Sequence, residues 1–497
     1  MADRGFAGDS GRSMRGFARR FKGPFVCIPP DADKRRHRAE FSLLEADPDA
    51  SCTRGVTKTQ RRVLRKAGVM LGVFGVVAPG LFMSALYWAG FGIFATLIAY
   101  RAVLILAGAL SRPALMLRGP SKAKTIWPVY TVLVAVYREP LAVKQLVAAL
   151  KGLDYPKRQL DIQILIEDSD EETLDALNAL KLKSHFRIVP VPEGSVQTKP
   201  RALNYGLSLA KGQYVCIYDA EDQMHTGQLK AAVRAFQRAG QEKLACVQAP
   251  LVPHNGGESW IARQFELEYL VHFGLVVPGL AALRLPVMLG GTSNHFRRSI
   301  LEEVGGWDPF NVTEDADLGL RLSAAGYRIG MIAPPTFEEA PVGRKQWVGQ
   351  RSRWIKGFIQ TLGVFTRRPG RAIRQMGVLK WCAAMCLLGG SVLSAVVHGP
   401  LAIWLIVSAV LAGNTVPGAS VMLLVTGFGV HLVASVLSWP DLKFSRVFGA
   451  LTAPLYWPLQ TFAALKAIRE LRTNPYFWDK TEHGVTEKEL CRSKLRG

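Results

Sequence analysis

Hydrophobic positions along this 497-residue chain form long continuous runs near both ends and short runs in the middle. Two long runs precede position 111, and each approaches the roughly 20 residues that a helix needs to cross a bilayer. Further long runs begin after residue 377. Within residues 67–110 the pattern predicts two transmembrane helices, at residues 67–86 and 89–110. Within residues 378–464 it predicts about four, at residues 378–397, 401–412, 421–439 and 447–464.

Residues 118–380, between these groups of runs, alternate strand-like and helix-like patterns. Residues 130–136, 162–166 and 214–218 are short apolar runs, and residues 141–150 have the spacing of a helix. This alternation predicts an α/β domain with a mixed, mostly parallel sheet, inserted between the transmembrane helices. The carboxyl ends of parallel strands meet at one edge, where such sheets bind ligands.

The net charge of +23 is concentrated beside the predicted spans. Basic side chains crowd into residues 1–66 and return in residues 465–497, as in cytoplasmic flanks next to anionic lipid. This distribution argues against nucleic-acid binding. We therefore expect a basic, largely disordered segment at residues 1–66 and a basic tail at residues 465–497. The α/β domain would share their cytoplasmic side of the inner (plasma) membrane in a multi-pass protein.

One charged residue, Arg101, lies inside the second predicted span. A charge that faces lipid is costly, so this side chain needs a polar surrounding. It either snorkels or pairs with another helix, or it contacts a polar substrate that passes through the protein. The sequence supports both interpretations equally.

Acidic side chains follow the predicted strands at their carboxyl ends. Asp219, Glu221 and Asp222 place three carboxylates within four residues after one strand, and Glu167 and Asp168 follow another. Carboxylates this close repel each other unless a cation or firm hydrogen bonds intervene. A hard divalent ion that bridges them to a diphosphate would meet this requirement.

A second acidic motif, Thr313-Glu314-Asp315, precedes a helix-like run at residues 316–325. Thr313 suits the N-cap of that helix, and acids at this end are favoured by the helix dipole. This capping interpretation does not exclude a catalytic role for Asp315.

Gln350, Arg353 and Trp354 are spaced so that a helix places them on one face. One interpretation is an amphipathic helix at the membrane surface, with Trp354 as an interfacial anchor. The other is a binding face. The indole of Trp354 offers an apolar surface to a sugar ring, and Arg353 offers charge-assisted hydrogen bonds to phosphate.

Together these motifs resemble the processive, inverting family 2 glycosyltransferases, the group that includes cellulose, curdlan, hyaluronan and chitin synthases. The resemblance covers residues 130–354 and implies a glycosyltransferase-A type fold. Its pieces, in chain order, are Val136-Tyr137-Arg138-Glu139, Glu167-Asp168, Lys199 with Asn204, Asp219-Ala220-Glu221-Asp222, Thr313-Glu314-Asp315 and Gln350-Arg351-Ser352-Arg353-Trp354.

The resemblance also implies residue roles. Asp315 would be the general base, with Glu314 beside it. Asp219 and Glu221 would bind Mg²⁺ or Mn²⁺, although the family usually has aspartate where Glu221 stands, so Asp222 is an alternative second ligand. The nucleotide-sugar residues would be Tyr137, Glu139, Asp168, Lys199 and Asp219, and the acceptor and diphosphate residues Gln350, Arg353 and Trp354. Residues 290–294 resemble a loop near the acceptor, and residues 478–484 match a segment of some bacterial members without an assigned role.

The predicted function is that of a hexosyltransferase that moves a sugar from a UDP-sugar to a growing polysaccharide with inversion. UDP-glucose and a β-glucan are the commonest case in the resembling group, and the transmembrane helices would allow export. The expected partners are the donor, the growing glycan and the lipid bilayer. Two alternatives remain: a non-processive transferase that adds one sugar to a lipid carrier, and a transporter or scaffold with an inactive transferase domain.

Overall fold

Two β-sheets lie at the centre of the chain. The computed structural model describes residues 25–116, 126–238, 241–411, 418–439, 441 and 443–477. The strands are β1 (Tyr130–Val136), β2 (Leu160–Glu167), β3 (Phe186–Val191), β4 (Tyr214–Tyr218), β5 (Gln223–Met224), β6 (Leu244–Gln248), β7 (Leu251–Pro253), β8 (Asn294–Arg297), β9 (Arg328–Met331) and β10 (Thr336–Glu338).

The larger sheet has seven strands in the order β3-β2-β1-β4-β8-β6-β9, and the smaller has the order β5-β10-β7. β8 runs antiparallel to both of its neighbours, and the other pairs of the larger sheet are parallel. Residues of β1, β2 and β4 are almost all buried, as expected for strands covered on both faces. The predicted mixed, mostly parallel α/β fold is confirmed.

The N-terminal region from residue 25 is folded against this sheet. Val26 forms a bridge with Ile188 of β3, and helix α1 (Ala32–Ala46) follows it. The structure thus has a helix where the sequence predicts disorder, because contacts with the α/β domain supply the burial that this polar segment lacks on its own. Residues 1–24 lie outside the described residues.

The first apolar region breaks at Ala78 rather than between residues 86 and 89. It forms α2 (Lys58–Val77) and α3 (Pro79–Met116). Proline lacks an amide hydrogen and disfavours helical conformation at the residue before it. Ala78 accordingly leaves the helix, with φ −139° and ψ 66°.

Helices cover both faces of the larger sheet. Side chains alternate along a strand, so Val132 and Ile164 point to one face and Leu133 and Leu165 to the other. The first face packs against α4 (Val143–Lys151), α5 (Glu171–Asn178) and α7 (Gln228–Phe236), and the second against α6 (Lys199–Leu207), α8 (Trp260–Val271), α9 (Val277–Ala282), α10 (Arg298–Glu303) and α11 (Glu314–Ala324).

The C-terminal helices differ from the predicted spans in their boundaries. The predicted spans 378–397 and 401–412 are one helix that continues through Pro400, and the predicted span 447–464 is divided near Trp457. The helices are α12 (Arg344–Phe365), α13 (Pro369–Met376), α14 (Val378–Leu411), α15 (Gly418–Ser438), α16 (Phe444–Tyr456) and α17 (Leu459–Thr473).

Among the described residues, four helices are long and apolar enough to cross a membrane. They are Pro79–Ser111, Trp260–Ala282, Val378–Ser408 and Gly418–Ser438. The sequence pattern assigns the second of these to the soluble domain, and the structure buries most of it inside the protein.

Two glycines fix this buried helical segment to α3. A Cβ on Gly108 would lie 2.0 Å from the carbonyl oxygen of Leu275, and a Cβ on Gly279 would lie 2.1 Å from that of Leu104. Glycine allows two helix backbones to approach this closely. The helical segment Trp260–Ala282 is therefore in direct backbone contact with α3, another candidate membrane helix.

Candidate active site

Lys199 and Asp219 form an ion pair at the carboxyl edge of the larger sheet. Lys199 is the first residue of α6, and Asp219 directly follows β4. The Lys199 ammonium also donates a hydrogen bond to the carbonyl oxygen of Gly291 at 2.7 Å. Burial lowers the pKa of Lys199, but the charges of Asp219 and Glu314 outweigh it and raise the pKa above its usual value. Lys199 is therefore a fixed positive charge.

Asp222 accepts hydrogen bonds from this turn and from the loop at residues 290–294. One of its carboxylate oxygens accepts a hydrogen bond from the Asp219 amide at 2.7 Å and another from the Thr292 hydroxyl. Its side chain is almost fully buried, and burial, followed by the charges of Asp219 and Glu221, raises its pKa well above the usual range. Asp222 thus holds the turn after β4, which favours Glu221 over Asp222 as the partner of Asp219 in cation binding.

Glu338, the last residue of β10, is a fourth carboxyl group beside this turn, after Asp219, Glu221 and Asp222. Burial, together with the charges of Glu221 and Asp219, raises its pKa to about 8. β10 pairs with β5, which directly follows Asp222, and this pairing brings Glu338 close. No sequence motif marks Glu338, because its position depends on a strand pairing across more than 100 residues.

Asp315 and Glu314 begin α11 and face the same region. Burial and, second to it, the negative charge of Asp315 raise the pKa of Glu314 to about 8. Burial also raises the pKa of Asp315 to about 6, although Lys199 and Arg353 act in the opposite direction. A Cβ on Gly291 would lie 3.5 Å from an Asp315 carboxylate oxygen. Asp315 and Lys199 therefore meet at the same glycine.

The capping role predicted for Thr313 is right in position and wrong in its hydrogen bond. Thr313 precedes the first residue of α11, but its side chain caps no helix amide. Its own amide donates to the side-chain oxygen of Asn311 at 3.0 Å, and Asp315 accepts from the Ala316 amide at 2.7 Å. The helix start is thus stabilised by its neighbours, and the Thr313 hydroxyl donates to the same Asn311 oxygen at 3.4 Å.

The loop at residues 290–294 is held by Gln248 at the end of β6. Its side-chain oxygen accepts from the Gly290 amide at 2.9 Å, and its amide group donates to the Thr292 carbonyl at 3.0 Å. Ser293 has φ 56° and donates its own amide to Ile217 of β4 at 2.8 Å. Hydrogen bonds from Gln248 and to β4 therefore hold this loop in place between β4 and α11.

Helix α12 lies across the start of α11. A Cβ on Gly357 would lie 2.2 Å from the hydroxyl oxygen of Thr313, so glycine is required there. Arg353 is near enough to Asp315 to lower its pKa electrostatically. The side-chain oxygen of Gln350 is buried and has no hydrogen-bond partner within the described part of the chain. The predicted acceptor face and the predicted base are thus adjacent.

Trp354 lies in an aromatic cluster with α8. Its ring centroid is 6.0 Å from that of Phe265 and 6.1 Å from that of Tyr269, and the Arg351 guanidinium lies 4.5 Å from its centroid. Arg351 also pairs with Glu268 of α8. Trp354 is therefore half-buried against protein groups, which argues against an anchor that meets only lipid.

The residues predicted to hold the nucleotide lie at the same edge. The turn after β1 contains Tyr137, Arg138 and Glu139. The Arg138 amide donates to the Asp170 carboxylate, and the Glu139 amide donates to the Thr173 hydroxyl at 2.9 Å. The Arg138 guanidinium lies 5.0 Å from the Tyr137 ring centroid. Because β1 pairs with both β2 and β4, this turn, Asp168 and Asp219 share one edge.

Glu167 and Asn204, two residues of the motifs that carry the resemblance, stabilise the fold around α6. Glu167 accepts two hydrogen bonds from Arg201, at 2.8 and 2.6 Å, and its pKa is raised to about 7 by burial. Asn204 donates to the carbonyl oxygens of Ala39 at 3.0 Å and Trp307 at 2.8 Å. Both side chains fix α6, the helix that carries Lys199.

The family model described as glycosyl transferase family group 2 matches residues 214–464, half of the chain. The chain therefore belongs to this family. The predicted family is confirmed, and the processive subtype stays a prediction.

Curated relatives include both polysaccharide and glycolipid enzymes. The chain is 28% identical to the probable glycosyltransferase YdaM of Bacillus subtilis, over 46% of this chain and 55% of that protein. It is 29% identical to the beta-monoglucosyldiacylglycerol synthase of Trichormus variabilis, over 47% of this chain and 49% of that protein. It is 27% identical to the cellulose synthase catalytic subunit of Xanthomonas axonopodis, over 52% of this chain and 35% of that protein. The matches span about half or less of each relative's length.

Among solved structures, a mannosyltransferase of Pyrobaculum calidifontis in complex with GDP-Man and Mn²⁺ aligns with a TM-score of 0.44 at 20% identity. The alignment covers 76% of this chain and 99% of that one.

Proposed function

We propose that this glycosyltransferase moves a sugar, with glucose as the first candidate, from a UDP-sugar to a growing polysaccharide with inversion. The observation that carries the proposal is the meeting of Asp315 and Lys199 at Gly291. A carboxylate suited to accept a proton and a fixed cation suited to bind phosphate thus face one small space. We propose a multi-pass protein of the plasma membrane with its catalytic domain in the cytoplasm.

Asp219 and Glu221 are the residues that would hold Mg²⁺ or Mn²⁺. Their carboxylate oxygens are hard ligands of the kind these ions prefer, and Asp219 already binds one cation, the Lys199 ammonium. Within the described residues, no three His, Cys, Asp or Glu side chains are grouped to hold a metal ion. The diphosphate of the donor would therefore complete the coordination. A divalent ion there stabilises negative charge on the leaving diphosphate.

The protein's own groups then act on the acceptor and the donor. Asp315 accepts the proton of the acceptor hydroxyl as that oxygen attacks the anomeric carbon. A single displacement by this route inverts the configuration of that carbon. Arg353 and Lys199 offer charge-assisted hydrogen bonds to phosphate oxygens as the UDP departs.

The pH dependence of transfer should follow the ionisation of Asp315. The carboxylate is the active form, and burial raises its pKa to about 6. Activity is therefore present above that pH and lost below it, with kcat/KM falling about tenfold per pH unit in the acid limb. Initial rates across a pH series, with folding checked at each pH, measure this. A rate that stays constant well below pH 6 would contradict the assignment.

Removal of divalent cations should abolish transfer, and Mg²⁺ or Mn²⁺ should restore it. We expect Glu221→Gln to raise the half-saturating Mn²⁺ concentration at least about tenfold, the scale seen when a metal site is disturbed. Asp222→Asn is the matched control. Its side-chain oxygen can still accept from the Asp219 amide and the Thr292 hydroxyl, so the melting temperature and the Mn²⁺ requirement should both stay near those of the wild type. Full activity in the presence of a chelator would reject metal dependence.

Polar side chains continue from Trp354 toward the membrane helices. Arg351 lies over the Trp354 ring and pairs with Glu268. Arg101 of α3 interacts electrostatically with Glu268 and His272. Of the two interpretations of Arg101, this favours pairing with another helix. An acceptor glycan that leaves Trp354 along Arg351 and Glu268 would approach α3, and such a route would allow chain extension coupled to export.

The second candidate function is the addition of one sugar to a lipid carrier. The similarity to beta-monoglucosyldiacylglycerol synthases favours it, and a membrane-side acceptor route would also admit a lipid. Incubation of purified protein with a panel of UDP-sugars, followed by sizing of the product, separates the two. Long chains that linkage-specific glycosidases digest support the polysaccharide, whereas one sugar on an extractable lipid supports the alternative.

A further inference from the structure

Residues 25–57, here called the N-terminal brace, run along the donor side of the catalytic domain. The brace starts at the edge of the larger sheet, where the Ile188 amide donates to the Phe25 carbonyl at 2.8 Å. Near its other end, the Cys52 amide donates to the Asp308 carboxylate at 2.7 Å. Between these points α1 lies on α6, the helix that begins with Lys199.

Glu40 is the central contact of the brace. Its side chain is only 4% exposed. One of its carboxylate oxygens accepts a hydrogen bond from the Ser195 amide at 2.9 Å and a second from the Ser195 hydroxyl. The neighbouring Phe41 packs in the same apolar cluster as Val196 and Phe310, with its ring centroid 6.2 Å from that of Phe310. Glu40 therefore holds Ser195 directly, and Phe41 packs in the cluster that also takes the next loop residue, Val196.

That loop, residues 192–198, joins β3 to Lys199. It follows the carboxyl end of β3, and the Asp168 amide donates to the Val191 carbonyl at 3.1 Å, so the loop borders the proposed nucleotide pocket. A Cβ on Gly194 would lie 2.7 Å from the second Glu40 oxygen and 2.8 Å from the Arg201 guanidinium. Glycine at this position lets Glu40 press directly against the loop backbone.

We propose that Glu40 is a positioning residue for donor binding, and that the N-terminal brace is part of the nucleotide-sugar site. The inference rests on the proposed function. Glu40 touches no reacting atom. It fixes the loop at residues 192–198, and through it the start of α6, so that Lys199 and the loop backbone are already arranged when a nucleotide diphosphate enters. Without this contact, donor binding has to order the loop, and affinity falls.

The test uses the full chain in detergent, with UDP as the binding probe and transfer from the donor that the wild type uses. Glu40→Ala should weaken UDP binding and raise the donor KM about tenfold, the scale of a lost charge-assisted contact. The value of kcat should stay within about twofold, because the interaction is made in ground state and transition state alike. Glu40→Gln keeps an oxygen acceptor for the Ser195 amide and should restore part of the affinity.

Glu45→Ala is the matched control, because Glu45 is an exposed carboxylate on the same helix whose ion pair with His37 is also exposed. Ser195→Ala removes only the loop hydroxyl and decides the question if Glu40→Ala does not fold. Its UDP affinity should fall about threefold, as expected for one lost hydrogen bond. If the wild type binds UDP and both Ser195→Ala and folded Glu40→Ala bind it with unchanged affinity, the inference about Glu40 is wrong. The proposed function would not be affected by that result. A wild type that binds no UDP would overturn the proposed function, and the inference with it.

Discussion

Replacement of Asp315 by asparagine should lower the transfer rate at least about 100-fold, the usual scale for loss of a general base. Asparagine has the same shape, and its side-chain oxygen can still accept the hydrogen bond that the Ala316 amide gives to Asp315. The start of α11 should therefore keep its structure while the proton acceptor is lost. UDP affinity should change little, because the proposed nucleotide contacts lie on other elements.

Glu314→Gln provides the comparison for this variant. Burial raises the pKa of Glu314 to about 8, so the group is mostly protonated at neutral pH and glutamine imitates its neutral form. We expect a smaller loss than in Asp315→Asn. Rates should be measured on folded protein with UDP binding determined on the same preparation. A near-normal rate in Asp315→Asn would leave only the structural role of this residue at the helix start.

Trp354→Ala should yield folded protein that binds UDP and makes no long product. The indole packs against Phe265 and Tyr269 and lies under the Arg351 guanidinium. If it is the surface on which the acceptor sugar rests, its removal takes away that contact. Base–aromatic contacts of comparable size contribute about 1–3 kcal/mol each. The proposed nucleotide pocket near Asp168 is formed by other elements and should remain.

Trp354→Phe and Trp354→Tyr separate the two interpretations of this residue. An interfacial anchor tolerates either ring, because both suit the headgroup zone. A sugar platform loses part of its area with either, and product length should shorten. Trp404→Ala, which removes an exposed indole from α14, is the control for general effects on the membrane helices. Equal product length and rate in Trp354→Ala would reject the acceptor role and weaken the case for processivity.

The central sheet and most of its ligand-binding edge can be predicted from the sequence because short local patterns encode them. Strands β1 and β4 are almost continuous apolar runs, and β2 is apolar apart from Asp161 and Gln163 before its acidic end. The polar residues that end these strands mark the edge directly. Only the resemblance predicts that Asp315 and α12 lie beside this edge, because no local pattern brings residues 315 and 353 together.

Other features depend on contacts that no local pattern encodes. Glu338 reaches the acidic turn only through the pairing of β10 with β5. Helix α1 is rich in charge, and its few apolar residues gain burial only from the domain beneath it. The choice between Glu221 and Asp222 was open in the sequence, and the hydrogen bonds from Asp219 and Thr292 distinguish the two side chains.

The most direct test of the account is the reaction of the purified wild-type chain, reconstituted in lipid, with a panel of UDP-sugars. UDP release and sugar incorporation should be measured together, and the anomeric configuration of the product determined. The account predicts that one UDP-sugar gives UDP in proportion to incorporated sugar, in a product of inverted configuration whose length grows with time. Absence of both UDP release and incorporation with every donor would contradict it, and would favour a transporter or scaffold with an inactive transferase domain.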